Sequence, residues 1–454
     1  PIKTTGKRSK AWSMVLSRGE AHLHTPSTDR ETLGILGHEH PLAMQLRDIK
    51  FVNQALKLAL RPPVTDAANN VETDEDGFAV YDRGLASFAH SDNRVRTHLS
   101  QHKETGRAAS ARPPLQNLSS RREDDFSRIL GTWSERGGER IAEGDYTNVF
   151  LPCYDHPIRS IFRASPGHVL VEVDYTGAEL AVIAWLAGDP VMIEHVRRNI
   201  LPENHPDHYD IHSQTAVRAF ALTCAPTKKG LKDAGKKGLR VAAKNVNFGI
   251  PYGRMAPAIS RQCREEGVHV TVDETQRLID TYFSTYQGTV EFLRNCRNRV
   301  QDPQWLCTAF GRIRRFFKST DKQVLGEQER QSQNFPIQGT VADAVSRAVD
   351  NLYYYRQEAA VQYRLLLQIH DAILFEVSIP YLAAFIAGVD GRPSVIQECM
   401  INRVPIWPTY LDGTPQQRVT EPYHFGVDYK VMLNWGEEIT DEQAAELGIP
   451  AGLI

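Results

Sequence analysis

The chain has 454 residues, 41% hydrophobic and 24% charged, with a formal net charge of -2, an ordinary composition for a soluble globular protein with a sizeable core and two to four subdomains. No apolar run approaches 18 residues and PIKTTGKRSK lacks an apolar centre, which argues against a transmembrane helix or signal peptide and for an intracellular location with no membrane partner. Cys153, Cys224, Cys263, Cys296, Cys307 and Cys399 show no CxxC spacing, which argues against a zinc ribbon or disulfide scaffold and reads as buried reduced thiols.

The chain starts at Pro1 rather than methionine and reads as a fragment or a processed product. Its first hundred residues read as polar helices, with a capping box at Thr28 and Glu31. The amphipathic stretch HPLAMQLRDIKFVNQALKLAL stops at Pro62 and Pro63, and TDAANNVETDEDG follows as an acidic loop. HLH at 22–24 and HEH at 38–40 read as surface histidines rather than metal ligands. From Val169 the pattern changes to VLVEVDYTG, an apolar strand ending at Asp174. Helical periodicity then runs through ELAVIAWLAGD, DIHSQTAVRAFAL and RVAAKNVNFGIPYG. LLLQIHDAILFEV at 365–377 predicts a tight β-hairpin with a His-Asp tip. No internal repeat is visible, and the order of elements predicts an α+β fold with a small antiparallel sheet.

Two constellations carry chemistry. Arg240, Lys244, Phe248 and Tyr252 recur every fourth residue, which on a helix draws one stripe about 18 Å long with cations at one end and aromatics at the other. A nucleoside triphosphate has a matching polyanionic end and flat end; an amphipathic helix with snorkelling cations fits the same spacing. Asp174 and Asp371 each stand where an apolar strand stops, so neighbouring strands would bring both carboxylates to one sheet edge. Such a pair suits Mg²⁺ and two-metal phosphoryl or nucleotidyl transfer, while the plainer reading is that each only ends a strand or caps a helix. Local basic stretches add to this: seven cations against the single acid Asp233 in residues 227–244, and four cations in GRIRRFFK at 311–318.

Taken together, these stretches resemble family A DNA polymerases, the group of bacterial DNA polymerase I and related phage replicative enzymes. DYTGAEL at 174–180 is similar to motif A (usually DYSQIEL), RVAAKNVNFGIPYG to motif B, and QIHDAILFEV to motif C (usually QVHDELVLEV). TGRAAS at 105–110, LQNLSSR at 115–121, DIHSQTA at 210–216, RQSQNFPIQGTVADA at 330–344 and NWGEE at 434–438 resemble further family blocks in family order.

The resemblance implies a right-hand polymerase fold with an antiparallel palm sheet, helical fingers and a helical thumb. It divides the chain into a thumb at 1–113, palm at 114–190 and 321–440, fingers at 191–320 and a C-terminal tail at 441–454. It also implies a template-directed DNA polymerase that adds deoxynucleotides to a primer end and releases pyrophosphate. Asp174 and Asp371, with Tyr175 in the metal-binding set, would hold two Mg²⁺ ions, with Mn²⁺ able to substitute. Arg240, Lys244 and His212 would contact the triphosphate, Lys244 also giving a proton to departing pyrophosphate. Phe248 and Tyr252 would lie against the sugar and nascent base pair. Glu179, held against Tyr252, would be the steric gate against a ribose 2′-hydroxyl. Arg121, Arg330, Asn334, Gln338, Gln368 and His370 would hold primer and template, reading minor-groove acceptors common to correct pairs. The partners implied are primer-template DNA, dNTPs and either replisome proteins or an N-terminal domain. The family's 3′-5′ exonuclease domain precedes the thumb, so the resemblance implies no proofreading in this chain, with DED at 74–76 an acidic loop.

Departures from the pattern are Gly177, Ala178 and Ala181 in motif A, expected to loosen contacts around the gate, and Ala372 in motif C, where a second carboxylate is usual. Pro251 predicts a kink near Asn247. Single-subunit RNA polymerases share similar motif spacing, but Glu179 and NFGxxYG favour deoxynucleotides; no YxDD box supports a reverse transcriptase. A catalytically inactive primer-template binding module is the remaining alternative, against which Asp174, Asp371, Arg240 and Lys244 weigh.

Overall fold

A computed structural model describes residues 85–118 and 158–454, apart from 360, 361, 418, 420 and 451. The N-terminal helices, both histidine triplets, the acidic loop at 74–76, most of the expected thumb and Arg121 lie outside the described residues.

Short strands β1 (His98–Ser100) and β2 (Ala109–Ala111) pair antiparallel. The apolar strand β3 (His168–Tyr175) then runs one residue beyond the predicted stop at Asp174. Gly177, in the left-handed conformation at φ 58° and ψ 27°, turns the chain into α1 (Ala178–Ala187). A side chain there would carry strain, which gives the glycine of this motif a backbone reason. Apolar residues surround α1 on every side, so it is buried rather than amphipathic.

A long helical stretch follows: α2 (Pro190–Asn199), α3 (Ile211–Ala219), α4 (Lys228–Asp233), α5 (Lys237–Gly249), α6 (Ala256–Glu265), α7 (Val272–Thr285) and α8 (Gln287–Asn298). Polar caps explain several starts. Asp189, Asp210 and Thr227 each accept a backbone N–H of the first turn of α2, α3 and α4, and Thr271 with Glu274 forms a capping box on α7. A small hairpin, β4 (Trp305–Cys307) and β5 (Ile313–Arg315), leads into α9 (Lys322–Ala359), which carries Pro336 inside it.

Strands β6 (Tyr363–Ile369) and β7 (Ala372–Ser378) form the predicted hairpin with His370 and Asp371 between them. With β8 (Val427–Asn434) and β9 (Glu437–Glu438) they complete an antiparallel sheet of order β6-β7-β3-β8-β9. Alternation divides β3 between two cores. Val169, Val171, Val173 and Tyr175 join the larger one, packed against the helices. Leu170 packs on the opposite side with Leu367, Leu374, Met432 and Trp435. Glu172 and Asp174 share that second face by register. No helix among the described residues is long and apolar enough to cross a membrane.

Candidate active site

Asp174 and Asp371 come together because β3 and β7 are neighbours. Asp174 pairs in register with Ala372, the residue after Asp371, so both carboxylates stand at one end of adjacent strands. On its other side Asp174 faces Asp428 of β8. Residue 174 reaches solvent at the sheet edge, yet protein packed around the carboxyl withdraws water from it. That desolvation, followed by the charges of Asp371, Glu172 and Asp428, pushes its pKa up to about 7. A divalent cation would relieve this repulsion, and carboxylate oxygens are the donors that Mg²⁺ prefers. Among the described residues no three His, Cys, Asp or Glu side chains form a ready-made metal site, so the pair fits a cation that takes further ligands from phosphates and water.

The Tyr175 side chain does not join them. Its ring is buried and its hydroxyl donates to the Met400 carbonyl at 2.7 Å within the π-helical turn Gln397–Asn402, so only its main chain is left to face a metal. Glu172, on the same face as Asp174, accepts a hydrogen bond from Trp435 Nε1 at 2.8 Å. Arg159 lies over the same indole at 4.5 Å.

Arg240, Lys244 and Phe248 of the motif B stripe stay together on α5 beside His212, and only Tyr252 lies beyond that helix. Arg240 Nε donates to Asp210 at 2.8 Å, while Lys244 is exposed. The half-buried Phe248 ring lies 5.7 Å from the His212 ring. Beyond Gly249 the α-helix tightens into a 3₁₀ turn, Ile250–Tyr252, with Pro251 inside it. The expected kink near Asn247 is therefore not there: α5 stays regular through Asn247, and the change falls after Gly249, where proline's missing N–H is tolerated at the start of a turn. Tyr252 consequently leaves the stripe and donates its hydroxyl to Glu179.

Glu179, in the first turn of α1, also takes Arg107 at 2.5 Å, and Gln338 Nε2 donates to the Tyr252 hydroxyl at 3.0 Å. Ala178 and Ala181 are buried in the core, and Glu179 is paired with both Arg107 and Tyr252. His212 is held neutral: burial, then Arg240 and Lys244, depress its pKa to about 4 against the opposing pull of Asp210. The Asn247 amide meets its Nδ1 at 3.0 Å.

Arg330, Asn334 and Gln338 recur at four-residue spacing on α9. Gln338 reaches Tyr252, and the Asn334 Oδ1 is buried without a hydrogen-bond partner. Arg330 is exposed and paired with Glu327 at 2.5 Å. Gly253, at φ 67°, lets the end of motif B pass close to this helix; a Cβ there would come within 2.9 Å of Gln333. Gln368 is buried, its carbonyl accepting from Gln116 Nε2 at 2.8 Å, and His370 is exposed at the hairpin tip at φ 56°.

A family model described as DNA polymerase family A matches residues 14–406. This chain belongs to DNA polymerase family A. It is 32% identical over 247 residues to DNA polymerase I of Caldicellulosiruptor bescii, covering 53% of this chain and 26% of that protein. DNA polymerase I of Geobacillus stearothermophilus is 27% identical over 339 residues, covering 74% of this chain and 32% of the relative. The chain thus spans between about a quarter and a third of the length of these relatives. A solved structure titled the POL domain of Pol1 from M. smegmatis, in complex with DNA primer-template and dNTP, superposes with a TM-score of 0.61 at 22% identity. That alignment covers 96% of this chain and 58% of the other, and it shows a shared fold, the right-hand fold of a polymerase domain.

Within this family A domain, sequence reasoning passed over Arg107, Asp210 and Asp428. Arg107 and Asp210 stood in quoted blocks, TGRAAS and DIHSQTA, without a role. Asp428 carried no local signal, because its relation to Asp174 is set by strand register alone.

Proposed function

We propose that this chain adds deoxynucleotides to the 3′ end of a DNA primer under direction of a template. The observation that carries the proposal is the convergence of Asp174 and Asp371 at one edge of the palm-like sheet. Asp174 and Asp371 would hold magnesium, with the main chain of Tyr175 beside them. When bound, the metal supplies charge to offset that on the attacking and leaving oxygens.

The remaining work falls to the chain's own side chains. Arg240, Lys244 and the neutral His212 would bind the triphosphate, the first two as cations and the last as an uncharged hydrogen-bonding group. Lys244, exposed and one turn beyond Arg240, would return a proton to the pyrophosphate leaving group. Glu179, braced by Arg107 and Tyr252, would wall off the space of a 2′-hydroxyl, and Phe248 would lie beside the sugar. Gln338, Asn334, Arg330, Gln368, His370 and Arg121 would line the path of primer and template. Primer-template DNA and dNTP, present in the M. smegmatis complex, would be the substrates here too. The chain would divide into thumb, palm, fingers and tail at the boundaries 1–113, 114–190 with 321–440, 191–320 and 441–454, and would act inside the cell.

Primer extension on a defined template tests the proposal, with dNTPs and NTPs compared and Mg²⁺ present or chelated. Metal-dependent addition of template-matched dNTPs is expected. Preferential use of NTPs would instead make it an RNA polymerase-like enzyme, and no addition with tight primer-template binding would make it a binding module.

A further inference from the structure

Asp210 is 7% exposed, and its two carboxylate oxygens do different things. One caps α3, accepting the backbone N–H of His212 at 3.1 Å and of Ser213 at 3.2 Å. The other accepts the Ser213 hydroxyl at 2.6 Å and Arg240 Nε at 2.8 Å. Ser213 Oγ accepts the same Nε at 3.1 Å, and Ser213 is fully buried. The inner nitrogen of Arg240 is thus held by two groups anchored on another helix. Among the described residues, neither terminal nitrogen of Arg240 has a hydrogen-bond acceptor.

We infer that Asp210 is a positioning residue that aims the two terminal nitrogens of Arg240 at the phosphate chain of an incoming nucleotide; the inference rests on the function proposed above. A guanidinium is a rigid planar fork, so fixing Nε fixes the plane in which both Nη groups present their protons. An arginine held this way loses less rotational freedom when it meets a phosphate than one that is free beforehand. Burial opposes ionisation of Asp210, but the hydrogen bonds from Arg240 and Ser213 outweigh it and hold its pKa below the usual carboxylate value. The anchor therefore stays charged near neutral pH. A carboxylate that merely sequestered the arginine would engage its terminal nitrogens, which are the ones a phosphate needs.

Asp210→Asn separates aiming from capping, because asparagine is as good an N-cap as aspartate, while its amide nitrogen takes the place of the charged oxygen that accepts from Arg240 Nε. Binding of inorganic triphosphate with Mg²⁺ to the full chain, followed by titration calorimetry, reads the effect without requiring turnover. The variant should melt within about 2 °C of the original protein and bind triphosphate about tenfold more weakly. In primer extension its KM for dNTP should rise by a similar factor while kcat stays within about threefold. In an Arg240→Lys background, which lacks the fork, Asp210→Asn should change triphosphate binding by less than about twofold. Unchanged or tighter triphosphate binding by Asp210→Asn in a well-folded protein would overturn the inference. So would an equal loss in the Arg240→Lys background. A chain that binds triphosphate in an Asp210-dependent way but extends no primer would sink the polymerase proposal and leave this one standing.

Discussion

The Tyr252 hydroxyl donates to the Glu179 carboxylate, tying the turn after α5 to the start of α1 across 73 positions of sequence. Arg107 holds the other carboxylate oxygen, and Gln338 holds the hydroxyl from α9. Burial, and then Glu179 itself, push the Tyr252 pKa up, so the hydroxyl remains the proton donor of this pair at every working pH. Three segments of the chain therefore position one carboxylate carried on a fourth.

If that carboxylate is a wall against a 2′-hydroxyl, Glu179→Ala should raise ribonucleotide insertion relative to deoxynucleotide insertion by more than about tenfold. Tyr252→Phe should act in the same direction but less, because Arg107 still holds Glu179. Single-nucleotide insertion with matched dNTP and NTP measures both. Unchanged sugar selectivity in Glu179→Ala would place the wall elsewhere.

Asp174→Asn or Asp371→Asn should reduce extension by at least about a thousandfold. Primer-template affinity should stay within about threefold, since the cationic contacts to phosphate remain. Chelation of the metal should give the same split between extension and binding. Near-normal extension by either variant would remove that carboxylate from the centre.

If Phe248 lies beside the sugar, its apolar ring offers a dideoxynucleotide, lacking its 3′-hydroxyl, no substitute for the missing hydrogen bond. Phe248→Tyr should raise dideoxynucleotide use by more than about tenfold in direct competition with dNTP. Were the ring only a packing element against His212, the added hydroxyl would lower the melting temperature and leave selectivity unchanged.

The depressed pKa of His212 makes stability depend on pH with a definite sign. Its folded value is about 4 against an ordinary 6.5, so the folded state binds fewer protons between those values. The stabilisation is fully present above pH 6.5 and is lost as pH falls towards 4. Thermal melts from pH 7.5 to 4 should fall less steeply for His212→Gln than for the parent. Parallel curves would show that His212 is not buried in neutral form.

Asp189 is 2% exposed and joins helices α2 and α8. It accepts Met192 N at 3.0 Å to cap α2, and Gly288 N at 2.8 Å and Thr289 N at 3.3 Å at the start of α8. Asp189→Ala should cost about 2–4 kcal/mol by leaving these donors unmatched. Denaturant unfolding measures it, with Asp189→Asn expected to lose less.

Strand β3, the hairpin around His370 and Asp371, and the helix carrying Arg240, Lys244 and Phe248 were legible from residue order. Each rests on a pattern contained within one segment: apolar runs ended by polar residues, or a four-residue period. The convergence of Asp174 and Asp371 was conditional, since it required two strands to be neighbours, and residue order within either strand does not say so.

Tertiary structure alone decided the rest. Asp428 stands opposite Asp174 because of the β3–β8 register, and a shift of one residue would turn it to the other face. Arg107, in the connection between β1 and β2, meets Glu179, and Asp210 takes Arg240 by its inner nitrogen, only after segments separate in sequence have packed. Tyr252 left the predicted stripe because Pro251 sits in a 3₁₀ turn, whose three residues per turn rotate the side chain away from the 3.6-residue period of α5. Periodicity along one segment determines which side chains share a face; packing and register between segments determine what that face meets.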